Sequence, residues 1–451
     1  NFCFRLLQEP YTVTPARPKT IMSLTIYENF AVKAEVLSER YGATVQISFS
    51  TKSIHGLSRI GSDPYSVLDK DAYGITVDAE TFCGRNVLEY HGVKAGGKVF
   101  DTDAAAERFA AFIRDCKRSS VHLCAMRAPR LRWDTKRTDL NELMLQTGKE
   151  CISACAGTGC GYIVIQPLFS GIAGADLWQE NHRYYSALGK MAKQTGIQIL
   201  MENQCRNTNG HLARGVCADA VVAAEWIDKL NEESGAEVFG FCLDTGACSL
   251  CRQDMGEMAA ALGRRVKAVL VRECGGVHEA SRLPFTGRNV NGQDVDWKSL
   301  VRGLRKTGFD GILIMDAGDT LKGFSHLLRP QVYPLIRSVA EYLKWQIGME
   351  KCIREYPVRV LFGAGNMCRQ YMTCYGQQYP PLFISDNNPG LWGTMVYGVE
   401  VRPPEVLKEL PEGCAVIICN TFYEETARQL KALGVSQIGT FSDECLPGGM
   451  D

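Results

Sequence analysis

Four carboxylates close short apolar runs at regular intervals: Glu202 in IQILMEN (197–203), Asp244 in FGFCLDTGA (239–247), Glu273 in VKAVLVREC (266–274) and Asp316 in DGILIMDAG (310–318). Gathered at one place, such groups repel unless a positive charge lies between them. A divalent cation held by oxygen ligands, with positions open to substrate, is the usual solution. Taken singly, a carboxylate at such a position more often caps a helix or pairs with an arginine. Further candidates lie nearby in the pattern. His122 falls within SVHLCAMRAP, and Arg272 and His278 flank the run that carries Glu273. A basic stretch with Arg127, Arg130, Arg132, Lys136 and Arg137 around Trp133 could grip a phosphate through paired guanidinium contacts, or could be a solvated loop. Near the C-terminus, VRVLFGAGNMCRQY sets Gly363 and Gly365 after a strand-like run and before a helix-like one, the context of a nucleotide-binding glycine turn. The third glycine of that pattern is replaced by Cys368, and PLFISD ends in Asp386, about where a ribose-binding carboxylate would lie.

The elements that must position these residues alternate between strand and helix. Apolar runs at 45–50, 74–80, 120–126, 162–168, 197–203, 239–245, 266–273 and 311–316 read as eight strands, each followed by a helix-like stretch. Their continuous apolar character predicts strands buried on both faces of a parallel sheet. If the sheet closes, the strand C-termini share one mouth, where barrels of this type keep their chemistry. An open doubly wound sheet is the competing arrangement. In VDWKSLVRGLRKTG, Val295, Trp297, Leu300, Val301 and Leu304 form a helical stripe and Gly308 stands at the C-cap. The chain divides into an N-terminal extension (1–43), the barrel (44–350) and, past Tyr356–Pro357, a small parallel α/β unit (357–445).

At 451 residues and 45% hydrophobic content the chain can bury two cores. Fifty basic residues balance fifty acidic ones, which argues against nucleic acid or an anionic membrane as partner. There is no apolar run of about 18 residues and no leader-like segment, so a cytoplasmic protein is expected. The 19 cysteines are scattered through strand and helix patterns, as suits reduced thiols. Cys248 and Cys251 form the one CxxC and lack a second pair for a four-thiolate zinc site; Cys83, Cys205 and Cys274 also lie near strand ends.

The runs LMEN, FCLDTGA, VKAVLVREC and GRNVNGQDVDWKSLVRGLRKTGFDGILIMD resemble the later half of the xylose isomerase-like TIM barrels, the sugar (phosphate) isomerase and epimerase superfamily that also includes endonuclease IV. The resemblance implies a (β/α)8 TIM barrel. It also implies a divalent metal on strands five to eight and two flanking acids that shuttle a proton beside a carbonyl. Glu202 and Asp244 take the strand-five and strand-six places, and Asp316 stands where the family has Glu. The strand-seven His position is Leu270, and Ala247 replaces the His three after the strand-six Asp; Glu273 could stand in as a ligand. The resulting oxygen-only set (Glu202, Asp244, Glu273, Asp316) suits manganese or magnesium better than zinc. Glu202 and Asp316 would be the catalytic pair, with His122, Arg127, Arg272 and His278 toward substrate. Endonuclease activity is disfavoured by the missing histidines.

Residues 357–445 resemble the small Rossmann-like domain of sugar-nucleotide acetyltransferases. In those domains the glycine turn and the acidic residue after the second strand, here Gly363, Gly365 and Asp386, contact a nucleotide-linked sugar. The expected function is therefore a metal-assisted sugar or sugar-phosphate isomerase or epimerase acting on a small carbohydrate. The alternatives are a non-catalytic sugar-nucleotide-binding or assembly module in glycan biosynthesis, and a metal-dependent lyase or dehydratase. A homo-oligomer is compatible with each.

Overall fold

The computed structural model describes residues 45–54, 73–82, 103–129, 136, 138–169, 177–208, 211–275, 278–287 and 295–441. The expected N-terminal extension lies outside the described residues, as do Cys83, Arg130, Arg132, Trp133 and Arg137.

In chain order the first elements are β1 (Gln46–Ser50), α1 (Thr51–Ile54), β2 (Tyr73–Asp78), α2 (Asp103–Arg118), β3 (His122–Arg127), α3 (Thr138–Thr158), β4 (Tyr162–Val164), α4 (Leu177–Thr195) and β5 (Gln198–Glu202). A two-stranded hairpin follows, β6 (Cys205–Thr208) and β7 (His211–Arg214), then α5 (Ala220–Ser234), β8 (Phe239–Asp244), α6 (Thr245–Leu250), α7 (Met255–Leu262), β9 (Val266–Val271), α8 (Trp297–Thr307), β10 (Ile312–Met315), α9 (Gly318–Gly323) and α10 (Arg329–Glu355). Eight strands close into a barrel in the order β1-β10-β9-β8-β5-β4-β3-β2, every pairing parallel. The doubly wound alternative is thereby excluded. The strands expected from the sequence are these eight, because β2 and β8 are buried at every residue and so carry no polar face to blur the apolar signal.

Interior and exterior are packed separately. Cys124, Ala125, Val164, Leu200, Cys242, Ala268, Leu270, Ile312 and Ile314 fill the barrel lumen, and the alternate strand residues join the helices in a larger outer core. In α8 the stripe Trp297, Leu300, Val301 and Leu304 is buried, and Gly308 ends the helix at φ 65°. Helices α7 and α8 cross at glycines: a Cβ on Gly303 would come within 2.5 Å of the Gly256 carbonyl oxygen, so the close approach requires a residue without one.

Beyond α10 come β11 (Val358–Phe362), α11 (Asn366–Tyr375), β12 (Ile384–Ser385), β13 (Met395–Val396), β14 (Val399–Arg402), β15 (Cys414–Ile418), α12 (Tyr423–Ala432) and β16 (Ile438–Thr440). They form a sheet of order β13-β14-β12-β11-β15-β16. The expectation of an all-parallel sheet is corrected here: β13 runs antiparallel to β14, because residues 395–402 double back as a tight hairpin at the edge. Buried Arg305 of α8 ties the two parts of the chain, donating to Gln346 Oε1 (2.7 Å) in α10 and to Tyr375 Oη (3.3 Å) in α11.

Candidate functional site

Period-two alternation decides which side chains reach the barrel mouth. Leu200, Cys242, Leu270 and Ile314 point into the lumen, so two residues further along each strand Glu202, Asp244, Arg272 and Asp316 form the next layer at the C-terminal ends. The same alternation brings Asp78 from β2 and Ser50 from β1 to that layer, where they are hydrogen-bonded to each other. Asp78 closes an apolar run, YGITVD, as the other carboxylates do, and that signal was available in the sequence.

Two guanidinium groups neutralise this layer. Arg127, at the end of β3, donates from Nη2 to both oxygens of Glu202, at 3.0 and 2.8 Å, and from Nη1 to Asp78 at 3.4 Å. Gln166 adds a third donor to Glu202 at 2.6 Å. Burial acts to lower the basicity of Arg127, but the adjacent Glu202 and Asp78 outweigh it and hold the guanidinium charged. Arg272 grips Asp244 side-on, Nε to Oδ1 at 2.8 Å and Nη2 to Oδ2 at 2.5 Å. Asp244 Oδ1 also caps α6, accepting from the backbone of Gly246 (2.9 Å) and Ala247 (3.2 Å). Burial pushes the Asp244 carboxyl up, and Arg272 more than reverses this, so the group lies below the usual carboxylate range. Asn203 locks β5 to β8, accepting from Asp244 N (2.8 Å) and donating to Asp244 O (3.0 Å).

The other expected site residues divide. Asp316 is at the mouth, 3% exposed, and accepts from Ser281 Oγ at 2.8 Å. Desolvation first and the neighbouring Asp78 second push its carboxyl above the usual range. Glu273 is not there. It follows Arg272 by one residue and faces the opposite way, accepting from Phe285 N at 3.0 Å and from Trp297 Nε1 at 3.3 Å, so its role is to anchor the loop after β9 against α8. His122 begins β3, at the end of the strand away from the mouth, and is exposed, while His278 is an exposed loop residue; neither is brought into the carboxylate layer.

These residues do not fit a divalent cation. Among the described residues no three His, Cys, Asp or Glu side chains are grouped to hold one. The donor chemistry agrees, since the lone pairs of Glu202 and Asp244 that would face a metal accept instead from arginines whose charge would repel it. The expected four-carboxylate centre is corrected on this ground: one member turns outward and two are clamped. Among the described residues the cysteines form no alternative centre: Cys248 donates to Met258 and Cys251 to the Ala213 carbonyl, and no described cysteine is in a disulfide.

A second polar constellation lies in the C-terminal sheet. A cavity of about 560 Å³ is lined by residues of the turn after β11, the loops after β12 and β15, and one face of α12. Gly363 adopts φ 103°, where a Cβ would also meet the Cys419 carbonyl at 3.0 Å, so this glycine is demanded by the turn. Asp386 fixes the turn: its Oδ2 accepts from Ala364 N (2.7 Å) and its Oδ1 from Asn388 N (2.8 Å). Asn387 and Gln429 exchange two amide hydrogen bonds, of 2.9 and 2.7 Å, across the cavity wall. Gly363, Gly365 and Asp386 are thus brought together, and Asn387, which continues the resemblance after Asp386, lines the same cavity; Asn366, Asn420, Phe422 and Gln429 join them without having been singled out in the sequence.

A closed eight-stranded parallel barrel with a polar layer at its C-terminal mouth is a TIM barrel. The family model described as the xylose isomerase-like TIM barrel matches residues 84–329, more than half of the chain, and the chain belongs to that family. No curated protein matches the chain. Solved structures with a similar fold include a D-psicose 3-epimerase crystallised in the presence of D-fructose, at 12% identity and TM-score 0.46, covering 67% of this chain and 100% of that one. A D-tagatose 3-epimerase-like protein matches at 13% identity and TM-score 0.44, covering 64% and 100%. An L-ribulose 3-epimerase matches at 12% and 0.44, covering 68% and 96%. Among the described residues no helix is long and apolar enough to cross a membrane.

Proposed function

We propose that this chain is a binding member of the isomerase and epimerase barrel family, in which paired arginines replace metal-assisted proton transfer at the mouth. Its ligand site is then the cavity of the C-terminal sheet, taking a nucleotide or a nucleotide-linked sugar. The observation that carries the proposal is the clamp of Arg127 on both oxygens of Glu202, at 2.8 and 3.0 Å. A cation at the mouth would have to displace a charge-assisted, two-bond contact and then sit beside the displaced guanidinium. The glycine turn pinned by Asp386, and the likeness of residues 357–445 to the Rossmann-like domain of sugar-nucleotide acetyltransferases, support the second half. Free, mostly buried thiols suit a reducing compartment such as the cytoplasm.

The test combines two measurements on the full chain. Elemental analysis before and after soaking with manganese, followed by desalting, is expected to find no bound metal. Thermal scans across nucleotides and sugar nucleotides are expected to show stabilisation that Asp386→Ala removes. Stoichiometric manganese lost in Glu202→Gln would overturn the first half, and a flat response to every nucleotide would overturn the second.

One observation favours a second reading, isomerisation or epimerisation at the mouth. Asp316 is buried, accepts from Ser281 and holds its proton more firmly than an ordinary carboxyl, as an acid beside a carbonyl carbon would. Manganese-dependent turnover of a ketose–aldose or epimer pair, abolished by Asp316→Asn, would establish it.

A further inference from the structure

Two features of the C-terminal cavity break local rules without a structural return. Phe422 is the N-cap of α12 and 68% exposed, at a position where Ser, Thr, Asp or Asn would satisfy the helix amides, and it makes no side-chain cap. Gly365, the N-cap of α11, has φ −80° and ψ −157°, a backbone conformation open to any residue, and a Cβ built there meets nothing within 4 Å. The cavity therefore has two uncapped helix N-termini on its wall, one of them opening at a glycine that the fold does not require. Departures of this kind are expected where a ligand supplies what the fold lacks.

Along α12 the cavity-lining residues Phe422, Glu425, Thr426 and Gln429 are spaced i, i+3, i+4 and i+7, so they share one face. Seven residues of helix put Phe422 and Gln429 roughly 10 Å apart along the axis. At the far end, the Asn387–Gln429 pair presents amide donors and acceptors. The surface offered is thus an open aromatic face, amide hydrogen-bonding groups one nucleoside length away, and, at the start of α11, whose first turn has no acidic residue, a helix N-terminus that favours an anion.

We infer that Phe422 is the platform on which the base of a nucleotide stacks, with Asn387 and Gln429 selecting the hydrogen-bonding groups at the ligand's other end and the space over Gly365 receiving its phosphate. This assignment rests on the nucleotide reading of the C-terminal cavity and names the residues that would set its specificity. Aromatic stacking tolerates any base, so the platform supplies affinity and the amide pair supplies choice.

The test is calorimetric titration of the full chain with UMP, UDP, AMP, ADP and UDP-glucose, with glucose 1-phosphate as a ligand that has no base. Phe422→Ala is expected to weaken the nucleotides by about ten- to a hundredfold, as loss of one base-stacking ring does, and to leave glucose 1-phosphate unchanged. Phe422→Trp should restore the loss, which a merely structural role of the ring would not predict. Gly365→Ala, whose Cβ meets nothing within 4 Å in the unliganded fold, should weaken nucleotide binding without lowering the melting temperature. If Phe422→Ala binds nucleotides as tightly as the parent while Gly365→Ala is weakened, the site stands and the stacking assignment is wrong. If the parent binds none of the panel, the nucleotide reading fails and the assignment fails with it.

Discussion

Replacing Arg127 with methionine isolates what the clamp at the barrel mouth does. The substitution keeps an unbranched apolar stem but removes the two bonds to Glu202, at 2.8 and 3.0 Å, and the one to Asp78 at 3.4 Å. Opposite charges about 3 Å apart attract by roughly 5–6 kcal/mol at an effective dielectric constant near 20. Most of that attraction is offset by the desolvation of both ions. What remains visible in the single variant is the cost of leaving Glu202, 1% exposed, charged and without its partner. Removing one member of a buried pair costs about 3–5 kcal/mol, roughly a fifth or more of a typical domain's stability. The double variant Arg127→Met/Glu202→Gln removes the orphaned charge while keeping an acceptor for Gln166, and should recover more than half of the loss. Urea unfolding monitored by circular dichroism reads both values from midpoint shifts at constant slope. A loss below about 1 kcal/mol in the single variant would mean that the pair contributes no more than an exposed one. The mouth would then not depend on the clamp, and the argument against a metal there would lose its basis.

Two further outcomes follow from the geometry. The carboxyl of Asp244 lies below its ordinary value, so the stability it supplies is present above about pH 4, the unfolded value, and is lost as pH falls through the folded one. Melting temperatures of the parent and Arg272→Met should therefore differ at pH 7 and converge as the pH is lowered below about 4; a gap that does not narrow would contradict the pairing. Gly363→Ala forces a Cβ into the left-handed region at φ 103° and against the Cys419 carbonyl. It should destabilise the C-terminal sheet by about 1–3 kcal/mol, and equal stability of parent and variant in thermal scans would remove the argument that the turn requires glycine.

The barrel strands were legible because burial on both faces leaves a continuous apolar run, and because most of the runs end where a charged residue meets the mouth. The hairpin β6–β7 was missed because CRNT and HLAR are polar and lack an apolar alternation. The dipeptide Asn209-Gly210 between them was the signal that could have marked it. The short edge strand β13 lay outside the strand pattern because its two residues, Met395 and Val396, are too few to show a period. In the candidate site, Glu202, Asp244 and Asp316 were found from strand ends alone. Glu273 was misplaced because a run of apolar residues does not say which side its last residue faces, and one step along the strand separates the mouth from the outer helices.

Composition, the spacing of apolar runs and the residues at their ends were enough to determine eight parallel strand-helix units with acids at their strand ends and a glycine turn in a following sheet, while closure into a barrel was decided by the tertiary structure. They could not determine what neutralises the acids. Arg127 and Glu202 are 75 residues apart and come from strands separated by β4, so only closure of the barrel brings them together. A carboxylate can ligate a metal ion or accept hydrogen bonds from a guanidinium, and the choice depends on which positive charge the surrounding strands deliver within about 3 Å. That is a property of the tertiary arrangement, and here it delivers two arginines.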